Sequence, residues 1–432
     1  MSIVVEALGA RPTTADRERH RAMREADPVA RDPDSGRWLV YRYEDAARVL
    51  TDHAAFTSEY ASSSAVVSRL FSGREPVVIT PAMHRELRRT VSRRFTPGVV
   101  AALGSRVLTV TTELLDRVAG DERIDLATDL AFPLPVRVIA ELLGVPQEDM
   151  DSVLEWVDAL CGNDSQPPLV PAQRRVSACD ARAELLAYLS ALVAQYRRKG
   201  ASVTMLDPAS GSSALTAEFL KTEIDGKRLD DGQAVALLGL LLLSGHLTTT
   251  SLLASVVLCL DAFPAVSDEV RAFPELLAPT IEEVLRYSTP VSRVTRRAKL
   301  DVDLGGRRVL AGEQVVVVMD SVNQDERRFP DPERFDIHRR RTSRLSTGYG
   351  LPFGPGSPVA RLQTRMALEL LLWRYCEISV DRAALRAQLI GWITVPTSMP
   401  LRVRSKRAVH NAEVPPTGLQ GSHLSRGRRH SR

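Results

Sequence analysis

Glu283 and Arg286 stand three residues apart, in Glu283-Val284-Leu285-Arg286. On a helix that spacing puts a carboxylate and a guanidinium on one face, where they can pair. Asp331-Pro332-Glu333-Arg334-Phe335 follows further along the chain. Ser244-Gly245-His246-Leu247-Thr248-Thr249 sets a glycine among hydroxyl side chains. Hydroxyls can satisfy the carbonyls that are freed where a helix loosens. A third group is cationic: His84 and Arg88, within His84-Arg85-Glu86-Leu87-Arg88-Arg89, together with Arg296. Charged forks of this kind suit carboxylates, although cations met singly are more often solvated helix-surface groups. A glycine-punctuated segment, Thr347-Gly348-Tyr349-Gly350-Leu351-Pro352-Phe353-Gly354-Pro355-Gly356-Ser357-Pro358-Val359-Ala360-Arg361, precedes an apolar run. The four cysteines, Cys161, Cys179, Cys259 and Cys376, form no close pair with metal-ligand spacing, so no metal site is expected from them.

The rest of the chain bounds what these residues can belong to. It has 432 residues, which gives a prior of two or three domains, though single folds of this size exist. Hydrophobic residues make up 44% and charged residues 25%, as in soluble globular proteins. That excludes a mainly disordered, collagen-like or repeat-array chain. The formal net charge is +4, but from Arg404 onward seven Lys or Arg face one acid, Glu413. The excess is a property of the tail, and no basic nucleic-acid-binding face is expected. Lysine occurs at five positions only, so arginine supplies nearly all positive charge, as in GC-rich genomes such as those of actinobacteria. A disulfide framework is not expected at this length. The N-terminus has no basic segment followed by a long apolar stretch, so no signal peptide is expected. The most apolar segment, residues 234–243, is too short to span a bilayer. The expected place is the cytosol, with no membrane partner.

The elements that must position the motifs are mostly helical. Residues 1–35 read as mixed helix and loop, 38–41 as a short strand, and 43–50 as a helix opened by Glu44 and Asp45. Residues 81–95 carry Leu87, Val91 and Phe95 at helical spacing, with Pro97-Gly98 as the stop. Residues 108–119, 136–143, 153–160 and 181–195 read as further helices, and 207–213 as a surface loop. Residues 230–260, apolar nearly all round, predict a helix buried in the middle of a large helical protein. Residues 279–287 and 359–374 predict helices, and 302–318 predicts strands joined at Gly305-Gly306. The fold class is mainly α with small β-sheets, in a single large domain over residues 38–403. An N-terminal extension covers 1–37, and a basic, disordered tail covers 404–432.

In this order the motifs resemble those of the cytochrome P-450 family, thiolate-haem mono-oxygenases, from about Trp38 to Val403. Glu283-Val284-Leu285-Arg286 resembles the family's ExxR, whose pair locks a segment like Asp331-Pro332-Glu333-Arg334-Phe335 beneath the haem. The resemblance implies that His84, Arg88 and Arg296 contact the haem propionates. It implies that Gly245 opens the oxygen-binding kink and that Thr248 helps protonate dioxygen there. Four positions depart from the pattern, among them Thr347, where the family has an aromatic, and Pro352, where it has a histidine. Leu247 stands where the family has the acid that feeds protons, and leucine cannot relay a proton. Gly354 stands where the family has the ligating cysteine, whose thiolate pushes electron density into the iron.

These departures lead to three expectations. The first is a pseudoenzyme without catalytic residues and without a cofactor, its haem-pocket residues vestigial and its ExxR structural. It would resemble the auxiliary proteins that bind and activate a partner glycosyltransferase attaching a deoxysugar in antibiotic, polyketide-type biosynthesis. The alternative is a P-450-family oxidoreductase that binds haem, or another anionic planar ligand, with an atypical or absent axial ligand. It rests on His84, Arg88 and Arg296, since buried charges need partners. The third, an ordinary mono-oxygenase, needs an axial ligand that the sequence does not offer.

Overall fold

The computed structural model describes residues 14–57, 70, 89–90, 97–162, 176–199, 215–224, 227–339 and 356–406. The principal helices among them are α1 (Thr14–Ala26), α2 (Pro97–Asp116), α3 (Pro133–Leu143), α4 (Met150–Cys161), α5 (Ala178–Lys199), α6 (Asp231–Ala262), α7 (Leu277–Tyr287) and α8 (Ser357–Arg374). The sequence places α6 at the centre. Its apolar residues leave no polar face, so every side needs a neighbour, and α3, α5, α7 and α8 supply them. Asp230 starts the helix with a reciprocal cap: its carboxylate accepts from the Gln233 amide at 2.8 Å, and the Gln233 side chain accepts from the Asp230 amide at 3.0 Å. Phe263-Pro264 ends it. By length and composition α6 could cross a membrane, yet 72% of its most apolar window is buried within the fold.

The principal sheet has five strands in the order Val29–Arg31, Trp38–Val40, Gln314–Val318, Arg293–Ala298 and Phe56–Thr57. Gln314–Val318 is its middle strand, and four consecutive buried valines fit a strand covered on both faces. It runs parallel to Trp38–Val40 and antiparallel to Arg293–Ala298, with Val315 opposite Arg296. The hairpin Val302–Leu304/Arg307–Val309 turns at Gly305 and Gly306, with φ of +54° and +78°. At Gly305 a Cβ would fall 2.4 Å from Val29 Cγ2, so glycine is required by space as well as by conformation. Tyr375–Val380, Pro400–Ser405 and Arg123–Asp125 form a second sheet, and Arg386–Ile390 pairs with Ile393–Ser398 as a hairpin.

Among residues 1–37, set apart above as an extension, α1 lies against the segment that begins at Met319, and Val29 pairs with Val40 in the principal sheet. The strand Pro400–Ser405 crosses the boundary drawn at 403, and residues 407–432 lie outside the described residues. So do the loop expected at 207–213 and most of the helix expected at 81–95. Pro97-Gly98, expected to stop a helix, instead opens α2; proline tolerates a first helical position because its missing N–H has no partner there anyway.

Candidate functional site

Helix α7 presents Glu283 and Arg286 to the interior, each about 1% exposed. Arg286 donates to Glu283 from Nε at 3.1 Å and Nη2 at 2.7 Å. Its remaining N–H groups reach the carbonyls of Asn323 at 3.0 Å, Pro332 at 2.8 Å and Arg334 at 3.2 Å. All five guanidinium donors are therefore used. Glu283 in turn accepts from Arg339 Nε and from the Asp336 amide, each at 3.2 Å. Arg339 then gathers the carbonyls of Pro330, Asp331 and Arg334. Asp331, at φ +46°, takes the left-handed conformation that aspartate tolerates better than most residues. The 331–335 segment is thus held by two guanidiniums around one carboxylate. Arg339 was not singled out by the sequence reading, since Arg339, Arg340 and Arg341 follow one another and their spacing does not say which turns inward.

Helix α6 continues without interruption through Gly245 and Thr248. In its otherwise buried middle, Ser244 and Gly245 are exposed and Leu241 and Thr248 are half-buried. Their spacing of three and four places them on one stripe. The hydroxyls of Ser244, Thr249 and Thr250 return to the carbonyls of Leu240 at 2.6 Å, Gly245 at 3.3 Å and His246 at 3.0 Å. Thr248 makes no such bond among the described residues, so its hydroxyl is available on the open stripe. Leu247 points the other way, 2% exposed, into the core.

Beside the stripe lies a contact the sequence reading missed. Cys161 Sγ sits 3.3 Å from His246 Nε2, and His246 Nδ1 is 3.0 Å from the Leu242 carbonyl. The carbonyl requires the proton on Nδ1, so Nε2 accepts from the thiol. Burial lowers the imidazole pKa to about 4, against the opposing pull of the Leu242 carbonyl, and keeps it neutral. No sequence signal joins these residues, which are 85 positions apart.

Arg296 is 4% exposed. Its one hydrogen bond among the described residues goes to the neighbouring Thr295 carbonyl at 2.9 Å, and no acid there pairs with it. Burial lowers its pKa to about 10. It is a desolvated cation suited to a carboxylate from outside the chain. His84, Arg88 and Gly354 lie outside the described residues.

These residues allow the haem expected by resemblance to be tested. Haem brings carboxylates and an iron that takes an axial donor. Arg296 fits the first, and the open stripe of α6 leaves space on an otherwise sealed helix. For the second, position 354 offers glycine, which has no side-chain donor. Among the cysteines, Cys161 is bonded to His246, and Cys376 lies 3.1 Å from the Arg404 carbonyl. Cys259 is fully buried, where burial raises its thiol pKa, and it lies about 16 Å along α6 from Thr248.

Comparison with known proteins extends beyond the motifs. The sequence model of the family described as Cytochrome P450 matches residues 275–383. Cyclomarin C epoxidase CymV of Salinispora arenicola is 38% identical over 366 residues, covering 83% of this chain and 89% of the relative. Erythromycin C-12 hydroxylase of Saccharopolyspora erythraea is 36% identical over 389 residues, covering 88% and 92%. Among solved structures, the post-tailoring hydroxylase HmtN of himastatin biosynthesis superposes with a TM-score of 0.75 at 33% identity, covering 90% of this chain and 97% of that one. A mutant of P450 EryK in complex with erythromycin B gives a TM-score of 0.75 at 34% identity, covering 93% and 99%.

These findings correct two expectations. A chain with no catalysis and no cofactor was read from Gly354 and Leu247, yet the relatives are named as epoxidases and hydroxylases, and the family binds haem. The substituted positions were given more weight than the retained ones, of which Arg296 is buried with no acid paired to it among the described residues. The glycosyltransferase role finds no support among the relatives' names. With more than four-fifths of its length aligned to such relatives and its fold superposing on theirs, the chain belongs to the cytochrome P450 family.

Proposed function

We propose that the protein is an oxidoreductase of the P450 family that binds haem with an atypical or absent axial ligand and acts in the cytosol on an antibiotic-type natural product. One observation carries the reading: Arg296 is buried without an acidic partner among the described residues, which is costly unless a carboxylate joins it. In this reading Arg296, with His84 and Arg88, holds the haem carboxylates. Ser244, Gly245 and Thr248 line the space along α6, and the unbonded Thr248 hydroxyl supplies a proton donor there. Leu247 supplies none, so protons reach the stripe by way of Thr248 and solvent. Bound haem would contribute one-electron and dioxygen chemistry. The names of the relatives, an epoxidase of cyclomarin C and a hydroxylase of erythromycin, support a large natural product as substrate.

The test is titration of the purified full-length chain with haemin, followed by reduction under carbon monoxide. Stoichiometric haem without the red-shifted band of a thiolate complex is expected, and Gly354→Cys should gain that band. Failure to bind haem at any ratio overturns the reading. A glycosyltransferase partner is a separate proposal, favoured by Gly354 alone. Co-purification of the chain with a glycosyltransferase encoded beside it supports that partner, and failure of the two to associate removes it.

A further inference from the structure

Between α1 and the carbonyls that receive Arg286 lies a cavity of about 10 Å³, the space of a single water. Arg17, His20, Asp320, Gln324 and Pro332 contribute to its wall. Gln324 is 5% exposed, and among the described residues neither its Oε1 nor its Nε2 has a hydrogen-bond partner. The Nε of Arg17 is also without one, while its other nitrogens serve Tyr287 Oη at 3.3 Å and Glu333 at 3.6 Å. Asp320 is half-buried, and its carboxylate makes no hydrogen bond among the described residues, although it feels the charge of Arg293. Arg24 and Glu333, also in the wall, are occupied. Arg24 is bonded to Glu326 and Ser321, and Glu333 is paired with Arg21 at 2.7 Å.

The unmet groups are an acceptor carboxylate, an amide that both donates and accepts, and a guanidinium N–H. A cation here would face Arg17 and Arg24, and an anion would face Asp320 and Glu333. The complement to this set is a neutral species the size of one water that donates twice and accepts. We infer that the cavity binds one ordered water, donating to Asp320 and to Gln324 Oε1 and accepting from Arg17 Nε or Gln324 Nε2. Because Pro332 is both part of the wall and an acceptor of Arg286 at 2.8 Å, this water joins α1 to the back of the Glu283–Arg286 cluster. Helix α1 is thereby fastened to the 331–335 segment by solvent as well as by ion pairs.

A crystal structure of the full chain at about 1.8 Å resolution tests this directly. A density peak within hydrogen-bond distance of both Asp320 and Gln324 is expected. An empty cavity, or a Gln324 amide bonded to a protein group, overturns the inference. Gln324→Met gives an independent readout in the sign of the melting shift. With a water bound, methionine removes its anchor and strands Asp320, so the melting temperature falls by several degrees. With a dry cavity, methionine removes an orphaned amide and the melting temperature rises, which also overturns the inference. Gln324→Glu, which keeps the size and the acceptor, should retain the water peak.

Discussion

Arg286 and Glu283 meet through two parallel N–H···O bonds, of 3.1 and 2.7 Å, with both side chains about 1% exposed. An exposed pair at the same spacing would contribute a few tenths of a kcal/mol. Buried, the pair cannot lose one member without stranding the other. Glu283→Ala or Arg286→Ala should destabilise the fold by about 3–5 kcal/mol in urea titration. Arg286→Lys should recover little, because a single ammonium cannot serve Glu283 and three separate carbonyls. Wild-type melting of either alanine variant would show the cluster to be solvated.

Arg296 predicts opposite effects on the empty and the loaded protein. Arg296→Met removes a desolvated cation whose pKa has fallen to about 10, so the haem-free variant should gain stability, on the order of 3 kcal/mol. Haem affinity should fall at least tenfold in the same variant. Calorimetry without haem and haemin titration read the two arms separately. A variant that is destabilised without haem would mean that Arg296 has a protein partner.

The wall of the small cavity carries two groups whose pKa values move in opposite directions. Burial raises the Asp320 carboxyl to about 7, against the pull of Arg293. Its folded pKa lies above its unfolded one, so its stability contribution is full below about pH 4 and is lost as pH rises through 7. Burial, aided by Arg19, lowers His20 to about 4. Its contribution is full above about pH 6.5 and is lost as pH falls through 4. Arg17, Arg24 and Glu333 also face the cavity, and Asp16 acts on both groups. Asp320→Asn should abolish most of the stability loss between pH 5 and 8, and His20→Gln most of the loss between pH 6 and 4. Each should amount to roughly 3 kcal/mol at most, and melting curves across pH 4–8 would reveal parallel profiles if neither group titrates as described.

Gly305 and Gly306 both have positive φ, but only Gly305 is also crowded. Gly306→Ala meets nothing within 4 Å and should cost about 1 kcal/mol of backbone strain. Gly305→Ala adds a collision with Val29 Cγ2 and should cost about 3 kcal/mol or more. Equal melting temperatures for the two variants would contradict the close approach.

Much of this organisation can be read along the chain because it is local. An apolar run with no polar face had to become a central helix, and it is α6. Glu283 and Arg286 share a helix turn, so their pairing is implied by spacing. What joins distant segments left no such trace. His20 and Gln324 line one cavity from positions some 300 residues apart, and nothing in the arginine-rich α1 marks His20 as the residue that turns inward. The strands of residues 375–405 were not read, although Leu401-Arg402-Val403-Arg404 alternates inward and outward as a half-buried strand does. The functional error had a different source. Gly354 and Leu247 speak to individual chemical steps, whereas family membership is carried by the whole length of the chain.

The register of the middle strand has one more consequence. Arg296 and Arg297 are consecutive, and a strand turns consecutive side chains to opposite faces. With Val315 opposite Arg296, the first arginine is sealed inside and the second reaches outward to the Gly312 carbonyl at 2.7 Å. A shift of one residue would exchange them, leaving net charge and composition unchanged while handing the interior to a different guanidinium. Which cation the interior receives is therefore a matter of parity, set by the register in which Arg293–Ala298 pairs with Gln314–Val318.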